Sequence, residues 1–154
     1  TNVRIVSATA GSNAGQVENA FDDNETTSWK SDGQHGTGWI EFKLERPARV
    51  DEVVLKLGGF RRKAYPLRIT VDGQVTYTGT TPKTLGYVTL PLKPVLGRTV
   101  RVELVGAIDD RDGFGMVEVT GKRLPDAAAA GAKGVLEVIE AEVYEAISDA
   151  ALNR

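Results

Sequence analysis

Apolar and polar residues alternate over most of the chain. Ile40, Phe42 and Leu44 are separated by Glu41 and Lys43, and the same period returns in Leu67, Ile69 and Val71, in Val88, Leu90 and Leu92, and in Val100, Val102 and Leu104. Val53, Leu55 and Leu57 add another such run. A period of two turns one set of side chains to a core and the other to water, as in a half-buried strand. Clusters of Gly, Asp, Asn and Pro separate the runs, and Asp72-Gly73 ahead of Gln74–Thr78 is a strong hairpin signal. Some seven or eight short strands at this spacing predict an all-β, antiparallel β-sandwich over residues 1–124.

The pattern changes after Leu124. Residues 125–134, with four successive alanines and two glycines, read as a linker. From Val135 onward, Leu136, Ile139, Val143, Ile147 and Ala150 recur at three- to four-residue steps, with glutamates on the remaining positions. That spacing predicts an amphipathic helix over 135–154, a C-terminal α-helical extension whose stripe packs on its own sandwich, on a neighbouring domain or on another copy.

With 154 residues, 41% of them hydrophobic and 26% charged, the composition suits one soluble domain. A net charge of −2 argues against a nucleic-acid partner. Cysteine is absent, which removes disulfides and thiolate chemistry, and one histidine is too few for an ordinary zinc site. No Gly-x-Ser-x-Gly, phosphate loop or His-Glu-x-x-His occurs, so nothing in the sequence points to an enzyme. No apolar run approaches the roughly 20 residues needed to span a bilayer. The sequence opens at Thr1 without a basic or apolar leader, as in an excised piece of an exported protein.

The segment Asn19-Ala20-Phe21-Asp22-Asp23-Asn24-Glu25-Thr26-Thr27-Ser28-Trp29 is dense in carboxylate, amide and hydroxyl oxygens. Such a loop either wraps a hard cation or closes on itself through Asx-type turns. It resembles the N-A-x-D-G-N-x-x-T-x-W signature of the coagulation factor C-type, or discoidin, superfamily, which includes the family 32 carbohydrate-binding modules. Gly38–Leu44, Arg49–Val53, Tyr65–Val71 and Met116–Gly121 resemble further strands of that family in the same order. The resemblance covers residues 3–124 and implies a discoidin-like jelly roll with a structural calcium. It assigns the metal to the carbonyls of Asn19 and Asn24, the Asp22 carboxylate, Thr27, and Glu118 with the carbonyl of Val117. Asp23 departs from the signature, standing where a glycine is usual, in a position that aspartate tolerates better than most residues.

The same resemblance implies sugar contacts in loops at the calcium end. His35, in the loop Ser31–Thr37, supplies a polar contact, and Phe114 between Gly113 and Gly115 supplies a stacking face beside Asp110. Phe60 with Arg61 and Arg62, in a glycine-hinged turn, offers an aromatic and planar donors suited to hydroxyls or a uronate carboxylate. Trp29 reads as core beneath the metal loop, and Trp39 as core or rim packing. The implied function is a non-catalytic carbohydrate-binding module that takes its parent's catalytic domain to an oligo- or polysaccharide. The parent would be a secreted, periplasmic or surface-bound bacterial glycan-degrading enzyme. Two alternatives stand beside it. One is an architectural domain packing on a catalytic neighbour; the other is a membrane- or protein-recognition domain using Phe60 among Arg61, Arg62 and Lys63. A membrane partner is disfavoured, since Phe60 is a lone apolar spike and the disulfide of those relatives is missing.

Overall fold

In this computed structural model, residues 2–34, 36–59, 61–82, 84, 86–110 and 134–146 are described. Ten strands account for the fold: β1 Asn2–Val3, β2 Ile5–Ala10, β3 Trp29–Lys30, β4 Trp39–Leu57, β5 Lys63–Ala64, β6 Pro66–Val71, β7 Gln74–Thr80, β8 Tyr87–Leu104, β9 Asp109–Asp110 and β10 Glu137–Glu145. A 3-10 turn, Ala14–Ala20, precedes the metal-loop segment. The alternating runs found in the sequence all lie in strands, and every pairing between them is antiparallel.

Two strands build both layers. β4 is 19 residues long and β8 is 18, and both bend midway. Pairing between them breaks from Lys43 to Ala48, at the stretch holding Pro47, which cannot donate a ladder hydrogen bond. The early half of β4 pairs with β2 and with the late half of β8, which continues into β6 and β7. The late half of β4 pairs with the early half of β8 and with β10, which carries β1 and β3. Ile40, Phe42 and Leu44 from one layer, and Val53, Leu55 and Leu57 from the other, are buried together. The β6–β7 hairpin turns through Asp72 at φ 48° and Gly73 at φ 83°, as its Asp-Gly pair requires. The Asp72 carboxylate then latches the bend of β8, accepting from the Arg98 and Thr99 amides at 3.0 and 2.9 Å.

The C-terminal segment departs from expectation. Glu137–Glu145 is not helical but a strand of the sheet, paired with β4 from Val138↔Leu57 to Glu145↔Val50. The reason lies in a register shift between Val138 and Glu140. Leu136 and Val138 point inward with period two, the shift adds a residue, and Ala141 and Val143 resume the inward set. A bulged strand therefore mimics helical spacing when its apolar residues are counted by eye. Ile139, counted in the helical stripe, is only half-buried. The β-branched run Val138, Ile139 and Val143 also favours strand. The sandwich thus extends past residue 124 to include β10. Residues 125–133 of the expected linker and 147–154 of the expected helix lie outside the described residues.

Because β10 lies between β1 and β4, the fold needs it. A chain truncated after Pro125 is expected to lose its cooperative thermal transition, and Leu136→Ala to cost about 2–5 kcal/mol by chemical denaturation. A folded, cooperatively melting truncation would contradict the assignment of β10 to the core.

Candidate functional site

The acidic loop closes through a dense set of local bonds. Asp22 Oδ1 accepts the Asn24 amide at 3.0 Å, and Thr27 Oγ1 donates to Asp22 Oδ2 at 2.6 Å. The Asn24 carbonyl accepts from the Thr27 amide and hydroxyl at 3.3 and 3.1 Å. The Asn19 amide holds the base of the loop, donating to the Ser28 carbonyl at 3.1 Å. Asp23 is left-handed at φ 57°, so the turn made by the family's glycine survives with aspartate in its place. Trp29 lies fully buried beneath, its indole N–H donating to the Ser12 carbonyl at 3.0 Å.

One residue of this site was missed by sequence reasoning. Glu140 of β10 reaches under the loop, where its Oε1 accepts the Asn24 amide at 3.0 Å. The Asp22 carboxylate accepts the same amide, also at 3.0 Å, so the two carboxyls are neighbours. Only 6% of Glu140 is exposed. Burial, followed by the Asp22 contact, pushes its carboxyl up to about 7. Burial also works against Asp22, but hydrogen bonds from Thr27, Glu140 and Asn24 outweigh it and hold Asp22 below the usual range. Neighbouring carboxyls favour the protonated form of the more buried one, here Glu140. The Asp22 and Glu140 carboxyls, the Asn24 carbonyl and the Thr27 hydroxyl bring oxygens to this part of the loop, while the Asn24 N–H points at both carboxyls. Among the described residues no three His, Cys, Asp or Glu side chains are grouped as a metal site. The assigned ligands Val117 and Glu118 lie outside the described residues. Val138-Ile139-Glu140-Ala141 repeats the apolar pair, Glu, apolar order of Met116-Val117-Glu118-Val119, and that repetition was the available signal.

Glu25, at the outer side of the loop, pairs with Lys56 at 2.8 Å and accepts from the Tyr87 hydroxyl at 3.3 Å. This ties the loop to the outer face of β4 and β8. Burial and then the Glu25 charge push the Tyr87 phenol up to about 12. A groove of about 510 Å³ runs beneath the loop, between the Asn2–Val6 edge and β10, with Tyr87 at its margin.

The other connections gather at the same end of the sandwich. The Ser31 amide donates to the Leu136 carbonyl at 2.9 Å, Leu104 to Gly38 at 2.8 Å, Val105 to Pro66 at 2.9 Å, and Gly58 to Glu137 at 3.0 Å. Buried Tyr65 donates its hydroxyl to the Gly58 carbonyl. Arg61 and Arg62 stand exposed on a turn whose Gly59 carbonyl accepts the Arg62 and Lys63 amides, both at 2.9 Å. The β5–β9 ladder sets Asp110 opposite Lys63, beside that turn. The structure thus brings Arg61, Arg62, the Asp110 backbone and residues 31–34 and 36–37 to the end that holds the acidic loop. His35, Phe60 and Phe114 lie outside the described residues. Trp39 is half-buried beneath the Arg101 guanidinium, 3.9 Å from its ring centre, while Arg101 pairs with Glu41 at 3.0 Å. Rim packing is therefore its role.

A family model described as F5/8 type C domain matches residues 5–119. No curated protein matches the chain. Among solved structures, the family 32 module of AlyQ in complex with 4,5-unsaturated mannuronic acid is similar at 19% identity, with a TM-score of 0.69, over 95% of this chain and 99% of that one. The family 32 module of C. perfringens NanJ in complex with galactose is similar at 15% identity, with a TM-score of 0.60, over 94% and 100%. A truncated AlyQ with family 32 and alginate lyase domains matches at 19% identity and a TM-score of 0.70, over 97% of this chain and 34% of that one. At such identities the likeness is one of fold.

The raised Glu140 carboxyl makes metal-free stability depend on pH. Its proton is held more tightly in the folded chain, so its contribution is full below about 4.5 and is lost as pH rises toward 7. Denaturation in chelator at pH 5 and 7.5 is expected to show a loss of up to about 3 kcal/mol that Glu140→Gln removes. An unchanged pH dependence in Glu140→Gln would contradict it.

Proposed function

The chain belongs to the F5/8 type C domain family, and on that premise we propose that it is a non-catalytic carbohydrate-binding module. The observation that carries this reading is the gathering of the 31–38, 58–66 and 104–110 connections, with exposed Arg61 and Arg62, at the end of the sandwich that holds the oxygen-rich loop. Similar modules were solved with mannuronic acid and with galactose, which supports a saccharide as ligand. Arg61 and Arg62 offer planar donors to ring hydroxyls or to a uronate carboxylate. An affinity in the millimolar to high micromolar range, about 4–6 kcal/mol, fits one small open site. The AlyQ structure with its lyase domain supports a role in carrying a secreted glycan-degrading enzyme to its substrate. Hydrolysis by paired carboxyls needs room for a glycosidic bond between them, roughly 5 Å or more. Asp22 and Glu140 are both turned to the Asn24 backbone amide, each at 3.0 Å, and not to opposite sides of a cleft.

A structural calcium completes the reading. The Asp22 and Glu140 carboxylates, the Asn19 and Asn24 carbonyls and Thr27 would hold it, with Glu140 in the role that motif matching gives Glu118. Bound calcium replaces the Glu140 proton and joins the loop to β10. It supplies rigidity to the ligand end and takes no part in chemistry.

Calcium at a hundredfold excess over its Kd is expected to stabilise the chain by about 2.7 kcal/mol in thermal melts. Glu140→Ala removes that gain and Glu118→Ala leaves it. In calorimetry with mannuronate oligosaccharides and galactose, replacing Arg61 and Arg62 together by alanine weakens binding by about 1.5–3 kcal/mol. If the wild-type chain binds no glycan at millimolar concentration, it is an architectural domain.

A further inference from the structure

The loop around residues 31–37 repeats the metal loop almost bond for bond. In the metal loop Asp22 accepts the amide of Asn24, and Thr27 Oγ1 bonds both Asp22 at 2.6 Å and the Asn24 carbonyl at 3.1 Å. In the second loop Asp32 Oδ1 accepts the amide of Gln34 at 3.0 Å. Thr37 Oγ1 then bonds both Asp32 at 2.6 Å and the Gln34 carbonyl at 3.3 Å. The residue after each aspartate is left-handed, Asp23 at φ 57° and Gly33 at φ 79°. The shared order is Asp, then Asn or Gln two residues on, then Thr three beyond that.

What lies beneath the two loops differs. Glu140 closes the first. The second is closed by a neutral hydroxyl: Ser12 Oγ accepts the Asp32 amide and donates to the Thr37 carbonyl, both at 3.0 Å. The backbone on either side of Ser12 is held as well, with the Gly11 amide on the Trp39 carbonyl at 3.0 Å and Asn13 Nδ2 on the Lys30 carbonyl at 2.8 Å. A side chain at position 11 would meet Trp39 Nε1 at 2.5 Å and the Thr37 carbonyl at 2.7 Å, so only glycine allows this approach. The aspartates also differ in use. Asp22 spends both oxygens, one on each donor, whereas in the second loop both donors converge on Asp32 Oδ1. A neutral oxygen at the Oδ1 position can therefore accept both donors, although those bonds also hold the Asp32 carboxyl below its usual range.

We propose that Asp32, braced by Ser12 and Thr37, is a positioning residue for saccharide binding: it fixes the ligand loop 31–37 with the metal loop's own template, closed without a cation. The proposal rests on the reading of the chain as a carbohydrate-binding module. A loop ordered before binding loses little entropy when a sugar docks.

The test separates geometry from charge. Wild type, Asp32→Ala, Asp32→Asn, Ser12→Ala and Asp22→Asn are titrated with mannuronate oligosaccharides and with galactose in calcium, and melted with and without calcium. Asp32→Ala and Ser12→Ala are expected to weaken the wild type's glycan at least tenfold while keeping the full calcium shift. Asp32→Asn, which retains Oδ1, stays within about threefold of wild type. Asp22→Asn loses the calcium shift. Amide exchange at Gln34 accelerates in Asp32→Ala and not in Asp32→Asn, which reports loop order directly. Asp32→Asn as damaging as Asp32→Ala would overturn the proposal, because the charge itself would then be needed. Unchanged binding in Asp32→Ala would overturn it too, and both results leave the carbohydrate reading intact. Failure of wild type to bind either sugar removes both.

Discussion

The contact between Glu140 and Asp22 spans 118 positions of sequence, by the numbering of the two residues, and the ligand end is organised around it. Buried Glu140 is held toward its protonated form, whereas its exposed neighbour Asp22 is held toward the anion by its hydrogen bonds. The fold tolerates the pair because the Asn24 amide donates to both carboxyls and the Thr27 hydroxyl donates to Asp22. The geometry also explains why β10 sits inside the sandwich. One strand supplies inward Val138, Ala141 and Val143 to the core and lifts Glu140 to the loop. The bulge that interrupts the inward set comes just before Glu140.

The same region shows where sequence and structure part. The period-two runs of β4, β6 and β8 were plain in the sequence because each has one face in the core and one in water. That β4 and β8 run through both layers was not, since a bend at Glu45–Pro47 looks like an ordinary loop between two strands. The loop from Asn19 to Trp29 was legible through its spacing, and Asp22, Asn24 and Thr27 meet as that spacing implies. Glu140 was hidden by the bulge: an extra residue turns alternation into apparent helical period, so the segment read as an amphipathic helix and its glutamates as a solvated face.

Two means of fixing a loop stand side by side at this end of the molecule. Where a carboxyl is buried, as at Glu140, the closure of the loop is sensitive to protons. Where a neutral hydroxyl such as Ser12 closes the turn, geometry suffices. Around them, exposed Arg61 and Arg62 are carried on a turn anchored by Tyr65 and by the β5–β9 ladder. Rigid backbone beneath and exposed donors above is the arrangement on which the proposed sugar site rests.

In the proposed reading Glu140 joins the N-terminal loop to β10 through a cation. A crystal structure grown in calcium tests it most directly. The account predicts one ion bonded to the Asp22 and Glu140 carboxylates at about 2.3–2.6 Å, with Asn24 and Thr27 oxygens around it and none in the 31–37 loop. An ion held without Glu140, or an unmetallated loop at saturating calcium, would contradict it.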